Sequence, residues 1–188
     1  MGGPGGANRV SGNAISEALV FGERAGTFAA GTAGGADPGW SPGYAERARA
    51  EMADLRTRKG RGPAPGVEQA ALQDVMWEHA GPFRSREGLE RALTAIHGFR
   101  GGLPDLAIAG GDVFNLDVQD WYELKAMLRS AEAVVVSAVQ RIESRGAHQR
   151  LDAPQPSAAF EKNQFASFED DALTTRWGAV VRSGVRAS

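Results

Sequence analysis

Between Trp121 and Ile142 the apolar residues Trp121, Leu124, Leu128, Ala131, Val135, Ala138 and Ile142 follow one another at spacings of 3, 4, 3, 4, 3 and 4. A strand would put alternate residues on one face, whereas a helix returns to the same face about every 3.6 residues. The pattern predicts a helix from Asp120 to Glu143, about six turns long, with an unbroken apolar seam. A seam of that length must be covered along its whole length by other apolar surface. It therefore points to a mainly α chain organised as a helical bundle. Bundle packing accounts for the seam fully, so the seam carries no chemistry of its own.

The segments before it supply the partners. Glycine is abundant, at 25 of 188 residues, and it is clustered at 2–6, 31–39, 60–66, 98–102 and 110–111. Clusters of this kind, with few breakers between them, read as punctuation between helices. A first helix is expected from Ala14 to Ala30, with Asn13 as its N-cap and Glu17 at the positive end of its dipole. Small residues on it (Ala14, Ala18, Gly22, Ala25, Gly26) suit close approach to another backbone, and an exposed surface of this kind predicts self-association of the chain. Ser41 and Pro42 start a second helix with the stripe Tyr44, Ala48, Met52 and Leu55, ending in the basic run 56–61, read as a solvated helix end and linker. A third covers 67–80, with Leu72, Val75, Met76 and His79 inward. A fourth, capped by Ser85, covers 86–99 with Leu89, Leu93 and Ile96 inward and His97 at its end. Residues 100–117 are expected to be a loop with a short apolar piece. Beyond Gly146 the chain turns extended and proline-containing. Residues 165–183 alternate in part, as one or two strands or a late hairpin would, and must lie on another element for want of a core. The acidic run Glu169, Asp170 and Asp171 reads as a turn.

Several function classes are excluded or disfavoured. With no cysteine, the chain has no disulfide, thiolate metal site, Cys-bound Fe–S cluster or thiol nucleophile. His79, His97 and His148 do not stand at ligand spacing, so a metal site is not expected. A net charge of −2 disfavours general nucleic-acid binding. No apolar run is long enough for direct membrane insertion, and the glycine-rich start lacks the features of a signal peptide. A cytoplasmic location is expected, possibly at the cytoplasmic face of a membrane complex. The P-loop, H-E-x-x-H and G-x-S-x-G patterns are missing. The opening glycines do not fit G-x-G-x-x-G, and no strand precedes them. No catalytic residue is assigned within this chain.

Two separated segments carry more information: "GGPGGANRVSGNAISEALVFGERAG" at 2–26 and "RIESRGAHQRLDAP" at 141–154. In this order they resemble the C-terminal part of the flavoprotein subunit of succinate dehydrogenase and fumarate reductase, whose plan L-aspartate oxidase shares. Between them, "LQDVMWEHAGPFRSREGLERAL" at 72–93 resembles that family's helical-domain pattern, with its "MW…AG..R" stretch, and the long seam helix resembles the family's last helix. The likeness extends to about residue 154. Beyond 157 the chain departs from the familiar pattern.

The resemblance implies an FAD-dependent oxidoreductase acting on a dicarboxylate and passing electrons to an Fe–S subunit. It implies that Arg9 binds a substrate carboxylate, a role for which a guanidinium is well shaped. It also implies that Ala14 and Ile15 meet the pyrimidine edge of the flavin through backbone groups at a helix N-terminus, where N–H groups favour anionic flavin N1/O2, with Asn13 shaping the turn. Arg141, Glu143, Arg145, His148 and Arg150 would form a structural network at the end of the long helix and a docking surface toward the flavin domain. Two positions depart from the family: Gly5 stands where a substrate-binding histidine is usual, and Ala14 where serine is common. Either the substrate differs or the site is not used.

The implied organisation is a remnant of the FAD-binding domain at 1–38 (glycine loop plus helix), a helical bundle domain at 39–146 and an extended, partly β arm at 147–188. The family's nucleotide-binding and capping segments are not in this sequence. The chain is therefore expected to need an N-terminal flavoprotein half, as a truncated or split polypeptide would, and to be inactive alone with no cofactor of its own. Two alternatives stand beside this: a non-catalytic interaction or assembly module derived from the family, and part of an L-aspartate oxidase-like flavoenzyme.

Overall fold

The structure is a computed structural model and describes residues 12, 14–35, 42–58, 60–111, 113–169 and 171–180. Five α-helices are present among them: α1 (Ala14–Thr32), α2 (Pro42–Thr57), α3 (Pro65–Ala80), α4 (Arg86–Gly102) and α5 (Leu116–Gln140). Four strands, β1 (Phe83–Arg84), β2 (Gln149–Arg150), β3 (Lys162–Glu169) and β4 (Ala172–Ala179), and two short 3-10 helices, Leu103–Asp105 and Ala158–Phe160, complete the described residues. The chain divides into two compact units, Met1–Asp54 and Leu55–Ser188, with the boundary inside α2. The boundary expected at 38/39 falls outside the described residues. The bundle and the C-terminal arm belong to one unit.

The first unit holds α1 and most of α2. On α1, Ile15, Leu19, Val20, Phe21 and Phe28 are all exposed. The helix ends where Gly34 takes φ 113°, a conformation that costs glycine little.

The second unit is organised around α3, α4 and α5, which pack pairwise. Leu72 of α3, Leu89, Ala92 and Ile96 of α4, and Leu124, Leu128, Ala131 and Val135 of α5 form its core, with Leu55 at the end of α2. Each fully buried leucine or isoleucine contributes about 1.5–3 kcal/mol by leaving water. The seam of α5 is buried from Trp121 to Ala138, but its last member, Ile142, is 51% exposed.

The helix bounds differ from the expected ones for local reasons. α5 starts a turn earlier than Asp120 because the Asn115 side chain accepts the Val118 N–H at 3.3 Å. Asp117 in its first turn also accepts the Ala109 N–H at 2.7 Å. α5 stops at Gln140, before Glu143, because an arginine from the arm takes its last carbonyls. α3 begins at Pro65, whose missing N–H costs nothing at the first helical position. Ser85 caps α4 as expected, accepting the Gly88 N–H at 3.1 Å. α4 runs on to Gly102, which places His97 inside the helix and not at its end.

The basic run after α2 is only partly solvated. Arg56 and Arg61 are exposed, but the Arg58 guanidinium donates to the Leu103 carbonyl at 3.2 Å and lies 5.6 Å from the centre of the Trp121 ring. The linker then runs against the loop after α4, with the Gly62 N–H on the Asp105 carbonyl at 2.9 Å and the Ala107 N–H on the Pro63 carbonyl at 3.1 Å. A Cβ at Gly60 would lie 2.0 Å from the Leu106 carbonyl oxygen, so this approach requires glycine.

The tail is a β-hairpin. β3 and β4 pair antiparallel from Lys162↔Ala179 to Glu169↔Ala172, which leaves two residues between the strands. Asp171 there has φ 66°. Of the acidic run expected as a turn, Asp171 lies in the turn and Glu169 is the last residue of β3, while Asp170 lies outside the described residues. The hairpin lies on α5, as a tail without its own core must. The Gln140 side-chain oxygen receives Gln164 at 2.8 Å and Thr175 at 2.9 Å, and Arg129 pairs with the Asp171 carboxylate.

Candidate functional site

The helix N-terminus of α1 and the end of α5 are the two places to which the sequence assigns functional residues. At the first, Arg9, Asn13 and Gly5 lie outside the described residues. The backbone of Ala14 opens α1, and Ile15 follows in the first turn with its side chain exposed. The first turn of a 19-residue helix presents N–H groups without intrahelical partners and the positive end of its dipole.

At the second place all five predicted residues come together, and each has defined partners. As the chain leaves α5, Arg145 and His148 close a tight turn with reciprocal backbone bonds of 2.8 and 3.0 Å. Gly146 takes φ 58° within that turn. β2 then pairs parallel with β1, Phe83 opposite Gln149 and Arg84 opposite Arg150. This brings the ends of α3 and α5 and the start of the arm to one point.

Glu143 is fully buried. Its carboxylate accepts Arg141 at 2.7 Å, Arg145 twice at 3.0 Å, and the Ser157 N–H at 2.8 Å. Burial alone would raise its pKa, but the hydrogen bonds from Arg145, Ser157 and Arg141 outweigh it and hold the carboxyl at about 2. The rest of the Arg141 guanidinium donates to the carbonyls of Phe160 and Lys162, both at 2.9 Å, and lies 4.9 Å from the centre of the Trp177 ring. The helix end is thereby fastened to the base of the hairpin.

Among the described residues Arg150 is the largest fully buried side chain, 2% exposed. Two of its nitrogens grip Asp152 in a fork, at 2.8 and 2.6 Å, and hold that carboxyl at about 2. Its third nitrogen reaches back to the Ala138 carbonyl at 2.8 Å, with longer contacts of 3.4 Å to Val139 and Arg141. A cation at the carbonyl end of a long helix is favoured by the dipole and satisfies acceptors that the helix cannot.

His148 joins the two helix ends. Its Nε2 lies 3.0 Å from the Arg141 carbonyl, and its Nδ1 lies 2.9 Å from an Arg84 nitrogen. A carbonyl only accepts and a guanidinium only donates, so Nε2 carries the proton and Nδ1 is a bare acceptor. The ring is neutral. Burial, followed by repulsion from Arg84, Arg150 and Arg141, lowers its pKa against one opposing hydrogen bond to Arg141. Arg84 in turn donates to the Ala80 and Gly81 carbonyls at 3.1 and 2.9 Å, capping α3.

These bonds brace the ends of α3 and α5 against the start of the arm. Glu143 has both oxygens occupied and a pKa far below neutrality, which disqualifies it as a general base. No buried side-chain nitrogen or oxygen among the described residues lacks a partner. Sequence reasoning assigned no role to three of the brace's members, Arg84, Ser144 and Asp152. Arg84 is the arginine of the "AG..R" stretch. Ser144 donates to the carbonyls of Arg150 and Ala153 and receives the Arg150 N–H at 2.8 Å. A second cluster was also missed. Glu132, buried on α5 beside the seam, receives Arg100 at 2.8 Å and lies 3.4 Å from the His97 ring. The only sequence signal for it is a charged residue directly adjoining the apolar seam.

The comparisons with known proteins agree with this architecture. The fumarate reductase flavoprotein C-terminal family model matches residues 69–182. The fumarate reductase flavoprotein subunit of Mycobacterium tuberculosis is 37% identical over 160 residues, covering 79% of this chain and 27% of that protein. The fumarate reductase flavoprotein subunit of Escherichia coli is 32% identical over 182 residues, covering 91% of this chain and 29% of that protein. A solved Escherichia coli quinol fumarate reductase shares the fold with a TM-score of 0.81 at 28% identity, over 97% of this chain and 32% of that one. The chain thus spans less than a third of the length of these relatives. With more than half its residues matched by the family model and its helical fold shared with a solved relative, the chain belongs to the fumarate reductase flavoprotein C-terminal family.

Proposed function

We propose that this chain works as the C-terminal part of an FAD-dependent flavoprotein of the succinate dehydrogenase/fumarate reductase type and is inactive alone. The observation that carries the proposal is the shared fold over nearly the whole chain, matched to less than a third of a longer fumarate reductase chain. In this reading the chain contributes the helical domain and one wall of the flavin and dicarboxylate site. FAD, held mainly by an N-terminal flavoprotein half, supplies the hydride acceptor. Ala14 and Ile15 at the start of α1 direct backbone N–H groups at the flavin ring, and the described backbone fits this, since α1 begins at Ala14. Asn13 shapes the turn ahead of it, and Arg9 binds one carboxylate of the dicarboxylate. An Fe–S subunit takes the electrons, at a face of a membrane complex, and the α5-end network supports docking toward the flavin domain. Catalysis needs positioned groups on all sides and exclusion of water, which one wall does not supply.

Flavin titration followed by fluorescence tests the reading. The isolated chain is expected to show no tight stoichiometric FAD binding. Co-expressed with an N-terminal flavoprotein half, it is expected to co-purify, carry FAD and oxidise succinate or reduce fumarate, with Arg9→Lys raising KM for the dicarboxylate. Tight binding by the isolated chain refutes its dependence on a second half. Absence of any association with such a half refutes the flavoprotein reading itself.

A further inference from the structure

We propose that His148 is a pH-responsive latch that holds the C-terminal arm onto the ends of α3 and α5 and releases it when the ring takes a second proton.

The geometry leaves the ring one workable state. Its Nε2–H is spent on the Arg141 carbonyl at 3.0 Å, and its Nδ1 accepts from Arg84 at 2.9 Å. A second proton can go only to Nδ1, the atom the Arg84 N–H already occupies. Two donors would then face each other at hydrogen-bond distance, and that bond must break. The charged groups around the ring offer the new cation nothing. Arg84 stands on it from β1, Arg141 from the end of α5, and Arg150 from β2. The nearby acids are engaged elsewhere: Glu143 by Arg141 and Arg145, Asp152 by Arg150. Burial weakens hydration as an alternative, so the folded ring resists protonation.

The bonds around the ring hold the arm. The His148 N–H donates to the Arg145 carbonyl at 3.0 Å, and the Leu151 N–H donates to the Arg84 carbonyl at 2.8 Å. Movement of Arg84 away from a charged His148 pulls on β1 and on the β1–β2 pairing together. The two carboxyls of the brace titrate near 2. In an opened brace these carboxyls return to their ordinary values of 4.5 and 3.8, so opening that begins between about pH 6.5 and 4.5 belongs to the histidine. The sign follows from linkage: a histidine of lowered pKa binds its proton more readily in the open form, so opening is favoured as pH falls below about 6.5.

The test is NMR on the full chain, labelled with ¹⁵N, with His148 assigned by comparison with His148→Gln. At about pH 7.5 the ring is expected to show the Nε2–H tautomer. Amide protection at Leu151 and His148, corrected for intrinsic exchange, is expected to fall about tenfold per pH unit below about 6.5. Protection at Ile96 in the bundle core should hold over the same range. His148→Gln, which has no ring to charge, should show no such step. A protonated Nδ1 at neutral pH, constant protection of Leu151 down to about pH 4, or the same step in His148→Gln would each overturn the proposal. If His148→Gln does not fold, the wild-type titration decides alone. One shared midpoint for ring protonation and loss of protection supports the latch, and separate midpoints overturn it.

Discussion

Glu143 and Arg150 carry opposite charges into the same protein interior, and each is fully engaged. Removing one member of such a buried set leaves the others without a counter-charge. Glu143→Gln is expected to cost about 3 kcal/mol, read as a lowered urea midpoint with unchanged m-value. Its acid dependence has a definite sign. With folded pKa values of about 2 for Glu143 and Asp152, against ordinary values of 4.5 and 3.8, the stabilisation is fully present above those ordinary values. It is lost as pH falls toward about 2, because the unfolded chain then binds protons that the folded chain refuses. Urea midpoints at about pH 7, 4 and 2.5 should fall progressively in the wild type, and less steeply in Glu143→Gln. Equal slopes for the two would show that the Glu143 cluster does not govern acid sensitivity.

At the scale of elements, α5 shows where helical periodicity holds and where it yields. Leu128 lies at the centre of its seam, and Leu128→Ala should cost about 2–5 kcal/mol by leaving a cavity. Ile142 continues the spacing but lies past the helix end and is half exposed, so Ile142→Ala should stay within about 0.5 kcal/mol. Chemical denaturation of the pair distinguishes a seam that ends at Gln140 from one that runs to Glu143. The linker after α2 supplies a separate check. At Gly60 a Cβ would meet the Leu106 carbonyl, and flanking backbone bonds prevent the linker from moving aside. Gly60→Ala is expected to cost about 1–3 kcal/mol by overpacking, and a neutral result in thermal unfolding would contradict this close approach. The elements themselves were legible from the sequence because their signals are local: Ser85 before α4, Pro42 at the start of α2, and partial period-two alternation in the tail. Their ends were less so. Asn115 lengthens α5 at one end, and an arginine ten residues beyond Gln140 closes it at the other.

At the scale of the whole molecule, the bundle and its arm bury a continuous core, whereas α1 exposes Ile15, Leu19, Phe21 and Phe28. An apolar helix surface of this extent favours association. The purified chain is expected to sediment as a concentration-dependent mixture, and Leu19→Lys with Phe28→Lys should shift it toward monomer. A clean monomer for the unsubstituted chain at high concentration would refute this. The same surface is what the proposed flavoprotein half would cover, so co-purification with that half should suppress self-association.

By itself the sequence determined the helices of the bundle, the strand-like character of the tail and the family likeness, because spacing, caps and short motifs are properties of neighbouring residues. It also grouped Arg141, Glu143, Arg145, His148 and Arg150, since these lie within ten positions of one another. Only the tertiary structure decided what that group does. Arg84 lies 64 residues before His148, and no periodicity connects them, yet together they set the tautomer of the ring and tie α3 to α5. Likewise, only folding decided that Glu132 faces inward to meet Arg100 and that Ile142 faces out. The physical reason is the same in each case. Burial, desolvation and hydrogen-bond satisfaction depend on which distant segments arrive at a point, and local pattern carries no record of that.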